Sequence, residues 1–121
     1  PRAFQANQNS MQSTIASFGL YASQVANALR NEGLSVQHCN LSGKPPQIKH
    51  QKISLTQPAI VLVSWDRAGG HFVVVGRCTA HEMTFLDPWD GRVNQQRNNG
   101  EYTARYGNHG TIAEIIYMSA N

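Results

Sequence analysis

The sequence is poor in the features that mark several common functional classes. It has only two cysteines, Cys39 and Cys78, whereas a small secreted scaffold held by disulfides would carry more, so the redox compartment stays open. Only 14% of its residues are charged, which is a low fraction for a soluble protein. No signal peptide is visible, and the longest apolar run, around residues 59–63, suits a buried strand and not a membrane span. We therefore expect no membrane partner.

The basic residues and the histidines lack the arrangements that nucleic acids and metal ions need. Ten lysines and arginines against seven acidic residues give a formal charge of +3, but they are scattered, without a basic stripe interleaved with aromatic residues. The five histidines and two cysteines show no HxxxH or CxxC spacing, so a metal site would need ligands assembled from distant loops. We expect neither a nucleic-acid partner nor a metal or other cofactor.

The first third of the chain predicts helices. Apolar residues recur at helical spacing in residues 11–18, and Ser10 is a suitable N-cap. Residues 23–32 carry a clearer apolar stripe, and Gly33 stands where a left-handed C-cap belongs. Residues 39–52 are polar and contain glycine and proline, which predicts a loop.

The remainder of the chain predicts an antiparallel sheet. Runs that are apolar or alternating, and bounded by turn residues, occur at residues 34–36, 59–65, 71–77, 81–86, 101–105 and 111–118. Residues 94–100 are polar and predict a loop. Helices followed by strands indicate an α+β fold, and the length fits one domain over residues 1–121. Because the chain begins at Pro1 without a methionine, we expect it to be a piece of a longer protein, truncated at its N-terminus.

One histidine and one aspartate fall at the same end of a predicted hairpin. His71 opens an apolar strand and Asp87 closes the next one, at a separation that suits two short antiparallel strands and their turn. An aspartate in this place can accept a hydrogen bond from the imidazole, which fixes its tautomer and favours its charged form. The pair predicts a general base and its orienting carboxylate. The alternative is a core hairpin whose two ionisable residues share an end.

The residues around this pair resemble a known family. Gly-Gly-His71-Phe-Val-Val-Val, then a strand, then Leu-Asp87-Pro88-Trp89-Asp-Gly91, is similar to the histidine and aspartate blocks of papain-like cysteine peptidases. The similarity is to the C39-like branch, which includes bacteriocin-leader peptidases and related effector proteases, and it covers residues 23–91. The resemblance implies a papain-like fold, with N-terminal helices packed on an antiparallel β-sheet, and a Cys-His-Asp triad.

The cysteine of that triad is missing from its expected place. In the family it begins a helix, and a glutamine a few residues upstream helps form the oxyanion hole. Gln5 matches the glutamine, and Met11, six residues later, or Ser10 holds the nucleophile position. Four explanations stay open: a replaced nucleophile, a cysteine upstream of the given sequence, a natural pseudoenzyme, and a false resemblance to the family. Cys39 follows the long helix and Cys78 follows the histidine strand, so neither is predicted to be the nucleophile.

Four residues beside the histidine–aspartate pair are predicted to bind substrate. Trp65 ends the preceding strand and either lines a cleft or forms an exposed turn. Gly69 and Gly70 either let a substrate backbone approach the histidine or only form the loop. Trp89 either shields the histidine–aspartate hydrogen bond from water or packs under the turn.

These observations together predict a cysteine protease domain that hydrolyses peptide bonds. The resemblance implies a protein or peptide substrate and leaves two roles open. One is a bacterial effector or toxin, secreted or delivered into the cytoplasm of a target cell, and the other is cleavage of a leader peptide after a Gly-Gly pair. The resemblance also implies an immunity or inhibitor protein as a partner. Two alternatives stay open: a non-catalytic peptide-binding domain of the same fold, and a glutamine deamidase or transamidase that uses the same machinery.

Overall fold

The structure, a computed structural model, describes residues 21–41, 55, 57–67 and 69–118. The helix predicted at residues 11–18 and the predicted site residues Gln5, Ser10 and Met11 lie outside the described residues. Within the described ranges, no helix combines the length and the apolar character needed to cross a membrane.

The described part of the chain begins with one helix. Helix α1 covers Ala22–Asn31 and buries four small or aliphatic residues at helical spacing on one face, namely Ala22, Val25, Ala26 and Leu29. Gly33 ends it with a φ of 92°, and the Leu34 amide donates to the Leu29 carbonyl at 3.1 Å, as in a Schellman motif. The prediction of a helix at residues 23–32 is confirmed, and the observed helix begins and ends one residue earlier.

Seven strands follow and form a single antiparallel sheet. They are β1 (Val36–Asn40), β2 (Ala59–Trp65), β3 (Gly70–Cys78), β4 (Glu82–Leu86), β5 (Val93–Arg97), β6 (Glu101–Thr103) and β7 (His109–Met118). The strand order is β1-β7-β2-β3-β4-β5, and β6 pairs with the remaining stretch of the β7 edge that β1 leaves free. The short strand β6 therefore lies beside the start of β7, and β7 and β2 separate it from β3 along the sheet.

Both faces of the central strands are buried, which explains their nearly continuous apolar sequences. The even-numbered residues Ile60, Phe72 and Val74 pack under α1. The odd-numbered residues of the same strands pack on the opposite face, which we call the odd face, together with Met83, Phe85 and Tyr102. Because side chains alternate along a strand, His71 and Asp87 belong to the odd face, away from the helix.

The sheet curls so that β5 and β6 come together across the odd face. The side-chain amide of Gln96 on β5 donates to the Thr103 carbonyl at 2.7 Å and accepts from the Thr103 amide at 3.0 Å. These two bonds satisfy backbone groups at the free edge of β6. As a result Tyr102 lies fully buried on Phe85, with ring centroids 4.7 Å apart.

The predicted α+β class, with N-terminal helices packed on a sheet in the papain-like manner, is wrong for the described residues. They are mostly antiparallel β-sheet, 53% in strands, with one short helix that accounts for 12%. Two segments that predicted loops from their polar composition contain strand residues: Cys39 and Asn40 end β1, and residues 94–97 belong to β5. The reason is that backbone pairing with a neighbour makes an edge strand, and such a strand needs few apolar side chains.

Gly110 on β7 lies close to the backbone of β2 and carries a prediction. A Cβ atom there would overlap the carbonyl oxygen of Ser64 and lie 2.7 Å from Val63 Cγ1. We expect Gly110→Ala to lower the free energy of unfolding by about 1–3 kcal/mol, since the backbone of β2 would have to move. Urea unfolding followed by circular dichroism measures this change. Thr111→Ala on the same strand is the control, and an equal loss in both variants would contradict the prediction.

Candidate active site

His71 and Asp87 meet at the end of the β3–β4 hairpin. Pairing of Val74 with Leu86 sets the register, so Asp87 follows the last residue of β4 and lies close to the start of β3. The Nε2 atom of His71 is 2.6 Å from Oδ1 of Asp87, and only 7% of the histidine and 2% of the aspartate are exposed. The hydrogen bond predicted between His71 and Asp87 is therefore present and shielded from water.

Three donors converge on the Asp87 carboxylate. Oδ1 accepts from His71 Nε2 and from the backbone amide of Trp89 at 2.9 Å, and Oδ2 accepts from the Tyr102 hydroxyl at 2.5 Å. The turn that follows is closed by the Gly91 amide, which donates to the Asp87 carbonyl at 2.9 Å. Acceptance at both oxygens is the hydrogen-bonding pattern of an ionised carboxylate.

This arrangement leaves one nitrogen of His71 available. Donation from Nε2 to a carboxylate assigns the proton of the neutral ring to Nε2, which leaves the lone pair on Nδ1. Within the described ranges, Nδ1 has no hydrogen-bond partner. The imidazole can therefore accept a proton at Nδ1 while Asp87 stabilises the imidazolium that forms.

Two indole rings lie against the His71 imidazole. The Trp89 ring is stacked on it with centroids 3.7 Å apart, and Trp65 is stacked with centroids 5.6 Å apart. The centroids of the two indole rings are themselves 6.0 Å apart, so the rings do not lie on opposite faces of the imidazole. Trp89 itself is 55% exposed, and its ring also contacts that of Tyr106, with ring centroids 5.5 Å apart.

Tyr102 is the part of the site that the sequence did not identify. It lies in the strand predicted at residues 101–105, and that pattern gives it no functional role. A buried tyrosine nevertheless usually finds a partner for its hydroxyl. Burial raises the pKa of Tyr102 far above its ordinary value, and the hydrogen bond to Asp87 and that residue's charge raise it further. The hydroxyl therefore stays protonated and acts as a donor. At the more exposed Tyr106, burial first, then the charges of Asp87 and Asp90, also raise the pKa.

An open cleft of about 490 Å³ lies next to Trp65. Its walls come from two turns, residues 65–67 after β2 and residues 106–109 before and at the start of β7. His109 ties these turns together, since Nδ1 is 2.6 Å from Asp66 Oδ2 and Nε2 is 3.2 Å from Glu101 Oε1. Trp65 thus contacts His71 and also lines the cleft.

The two glycines before His71 have backbone roles. Gly69 has a φ of 86°, which favours glycine, and its carbonyl accepts from the Trp65 amide at 3.0 Å. Gly70 pairs with Ser64, and a Cβ atom there would lie 3.2 Å from Leu62 Cδ1. Both glycines are exposed beside the histidine. Their contact with a substrate, like that of Trp65 and Trp89, stays a prediction.

Neither cysteine of the chain can reach His71. Cys39 lies on β1, which β7 and β2 separate from β3, so at the usual strand spacing it is roughly 14 Å from that strand. Cys78 ends β3, and at the usual rise per residue it is roughly 23 Å from His71. Among the described residues, neither takes part in a disulfide. A nucleophilic cysteine for this histidine therefore has to come from a position other than these two.

Comparison with known proteins identifies a family. Residues 6–103 match the sequence model of the Peptidase C39 family, which is most of the chain and includes His71 and Asp87. No curated protein matches the chain. Among the described residues, no group of three or more histidine, cysteine or acidic side chains is arranged to hold a metal ion.

Proposed function

Because the chain belongs to the peptidase C39 family, we propose that it is a cysteine-peptidase domain in which His71 is the general base and Asp87 orients it. One observation carries this proposal: the buried 2.6 Å hydrogen bond between the two side chains, with His71 Nδ1 left available. A purely structural histidine–aspartate pair does not require an unbonded Nδ1 atom. The chemistry that uses this nitrogen is proton transfer to and from a nucleophile.

The proposed reaction is acyl transfer through a thiolate. His71 Nδ1 takes the thiol proton, and Asp87 stabilises the resulting imidazolium. The thiolate attacks the peptide carbonyl, and His71 then gives its proton to the leaving amine, so that the carbon–nitrogen bond breaks. Water, deprotonated by His71, hydrolyses the acyl-enzyme and regenerates the thiol. By the family resemblance, Gln5 stabilises the oxyanion of both tetrahedral intermediates.

The source of the nucleophile is the open part of this proposal. Ser10 and Met11 match the family's nucleophile position, and a cysteine upstream of the given sequence is the other source. The strand positions of Cys39 and Cys78 support both options, since neither can supply the thiol. A delivered bacterial effector that cleaves a protein or peptide, with an immunity or inhibitor protein as its partner, is proposed on the resemblance alone.

Restoring the thiol tests the proposal. Ser10→Cys and Met11→Cys are made separately in a chain whose two native cysteines are replaced by serine, and each is treated with iodoacetamide at pH 6. We expect one of them to be alkylated roughly tenfold or more faster than a free cysteine, because a thiolate paired with imidazolium persists at that pH. The same variant with His71→Ala should lose this acceleration.

The outcomes separate the competing functions. If neither restored cysteine shows labelling that depends on His71, and no chain that includes residues upstream of Pro1 shows it either, the enzyme proposal fails and a peptide-binding domain takes its place. Where labelling succeeds, mass spectrometry of a treated peptide library distinguishes the reactions. Cleavage yields fragments with new termini, whereas deamidation leaves each peptide intact and raises its mass by about one unit, so the second result would replace the peptidase with a deamidase.

A further inference from the structure

Tyr102 holds the oxygen of Asp87 that His71 does not use. Oδ1 accepts from His71 and from the Trp89 amide, whereas Oδ2 accepts from the Tyr102 hydroxyl at 2.5 Å. In the part of the chain that the structure describes, no other donor reaches Oδ2. A carboxylate bonded through only one oxygen can still turn about its Cβ–Cγ bond, whereas one bonded through both has a single orientation.

We propose that Tyr102 is a positioning residue: it fixes the Asp87 carboxylate so that neutral His71 keeps its proton on Nε2 and presents Nδ1 as the base. The inference rests on the proposed function of His71 for its catalytic meaning, although the geometry itself does not depend on a nucleophile. Tyr102 lies beneath the pair and acts on the imidazole only through Asp87.

The backbone around Tyr102 is built so that the hydroxyl cannot turn elsewhere. The residue is the middle one of β6, pairs with Gly110 on β7, and has no exposed surface. The Gln96 amide holds the next residue from the β5 side. Its ring lies against Phe85, with centroids 4.7 Å apart. Moving the hydroxyl away from Asp87 would mean unpairing this strand.

The protonation state of Tyr102 suits a donor and excludes a direct chemical role. Burial raises the pKa of its phenol well above the ordinary value, and the hydrogen bond to the Asp87 carboxylate raises it further. Tyr102 therefore remains a neutral donor at every pH at which the protein would work. It is neither a second base nor a phenolate nucleophile.

The tautomer of His71 provides a direct test. Two-bond ¹H–¹⁵N correlation spectra distinguish a neutral ring protonated at Nε2 from one protonated at Nδ1, and His71→Ala assigns the signal. We expect the Nε2–H form to dominate in the parent chain. In Tyr102→Phe we expect the ratio of Nε2–H to Nδ1–H to fall roughly tenfold, as for loss of one hydrogen bond to a charged group. An unchanged ratio in folded Tyr102→Phe would overturn the proposal.

Tyr117→Phe is the matched control. Tyr117 lies near the other end of β7 and packs at the border of the same core, so its loss removes a hydroxyl far from Asp87. We expect the His71 tautomer ratio to stay at the parent value. A shift equal to that in Tyr102→Phe would mean that the ratio follows general loosening of the core, and this result would also overturn the proposal.

A second variant covers the case in which Tyr102→Phe does not fold. Site-specific 3-fluorotyrosine at position 102 keeps the ring and makes the hydroxyl a stronger donor. We expect it to change the ¹⁵N resonances of His71, whereas the same replacement at position 117 leaves them unchanged. Identical His71 resonances in both fluorinated proteins would contradict the role of Tyr102.

Steady-state kinetics provide a further test, because a purely structural role of Tyr102 would not lower kcat at constant KM. In a cysteine-bearing form that hydrolyses peptides, Tyr102→Phe should lower kcat roughly tenfold while KM stays within twofold, because substrate does not touch the tyrosine. A rise in KM with unchanged kcat would contradict the proposal. If no form of the chain hydrolyses peptides, the peptidase proposal fails, whereas the tautomer experiment still decides whether Tyr102 positions Asp87 and His71.

Discussion

We expect His71→Ala to abolish peptide hydrolysis in the cysteine-bearing form of the chain, with a loss of about 10⁴-fold or more in kcat. Without the imidazole, the thiol keeps its proton at neutral pH, and the leaving amine has no acid to protonate it. A fluorogenic peptide assay measures the loss. His81→Ala is the matched control, since His81 is exposed in the turn between β3 and β4. Its backbone amide donates to Thr79 Oγ1 and its carbonyl accepts from the Asn98 amide, bonds that an alanine also makes.

A second readout of the same variant needs no nucleophile. The chain has two tryptophans, and both rings are stacked on His71. An imidazole stacked on an indole ring quenches its fluorescence, so the tryptophan emission should rise when His71 is removed. We expect His71→Ala to emit more strongly than the parent and His81→Ala to match it. An unchanged emission in His71→Ala, or hydrolysis within tenfold of the parent rate, would refute the assignment of His71.

Asp87→Asn should lower kcat by about 10³- to 10⁴-fold while the fold persists. An asparagine at this position has one acceptor oxygen for three converging donors, and its amide would face either the imidazole or the Tyr102 hydroxyl. The imidazolium would also lose its counter-charge. We expect the free energy of unfolding to fall by about 1–3 kcal/mol, since a buried hydrogen bond to a charged group is lost.

Asp90→Asn in the same turn controls for the removal of a carboxylate. Asp90 Oδ1 accepts from the Arg92 amide at 2.8 Å, a bond that an asparagine oxygen can also make. We expect this variant to keep its kcat within a few-fold of the parent. Comparison of the two variants by steady-state kinetics and urea unfolding isolates the role of Asp87, and an equal loss of kcat in both would refute it.

The central hairpin was predictable because its signals are local. Strand β2 has the predicted bounds, β3 extends one residue beyond its predicted range at each end, and β4 begins one residue later than predicted. Apolar alternation sets which face each residue occupies, and the turn length brings the strand ends together. The meeting of His71 with Asp87 depends only on these features, so the sequence alone indicated the pair.

Strand β5 and the role of Tyr102 were not predictable in this way. The residues of β5 are mostly polar, and they form a strand because the backbone of β4 offers unpaired groups beside them. Tyr102 reaches Asp87 only after the sheet has curled and the Gln96 amide has joined β5 to β6. Strand β5 and the contact of Tyr102 with Asp87 both depend on pairing between separate segments. The side-chain pattern within one short segment does not predict such pairing.

The sequence by itself determined that a histidine and an aspartate share the end of one hairpin, since two apolar strands and a tight turn leave them no other arrangement. Only the tertiary structure decided the remainder of the site. Strand order places Cys39 out of reach, pairing of β2 with β3 brings Trp65 to His71, and the curl of the sheet brings Tyr102 to Asp87. The physical reason is that strand order and curvature arise from backbone hydrogen bonds and packing between segments far apart in the chain.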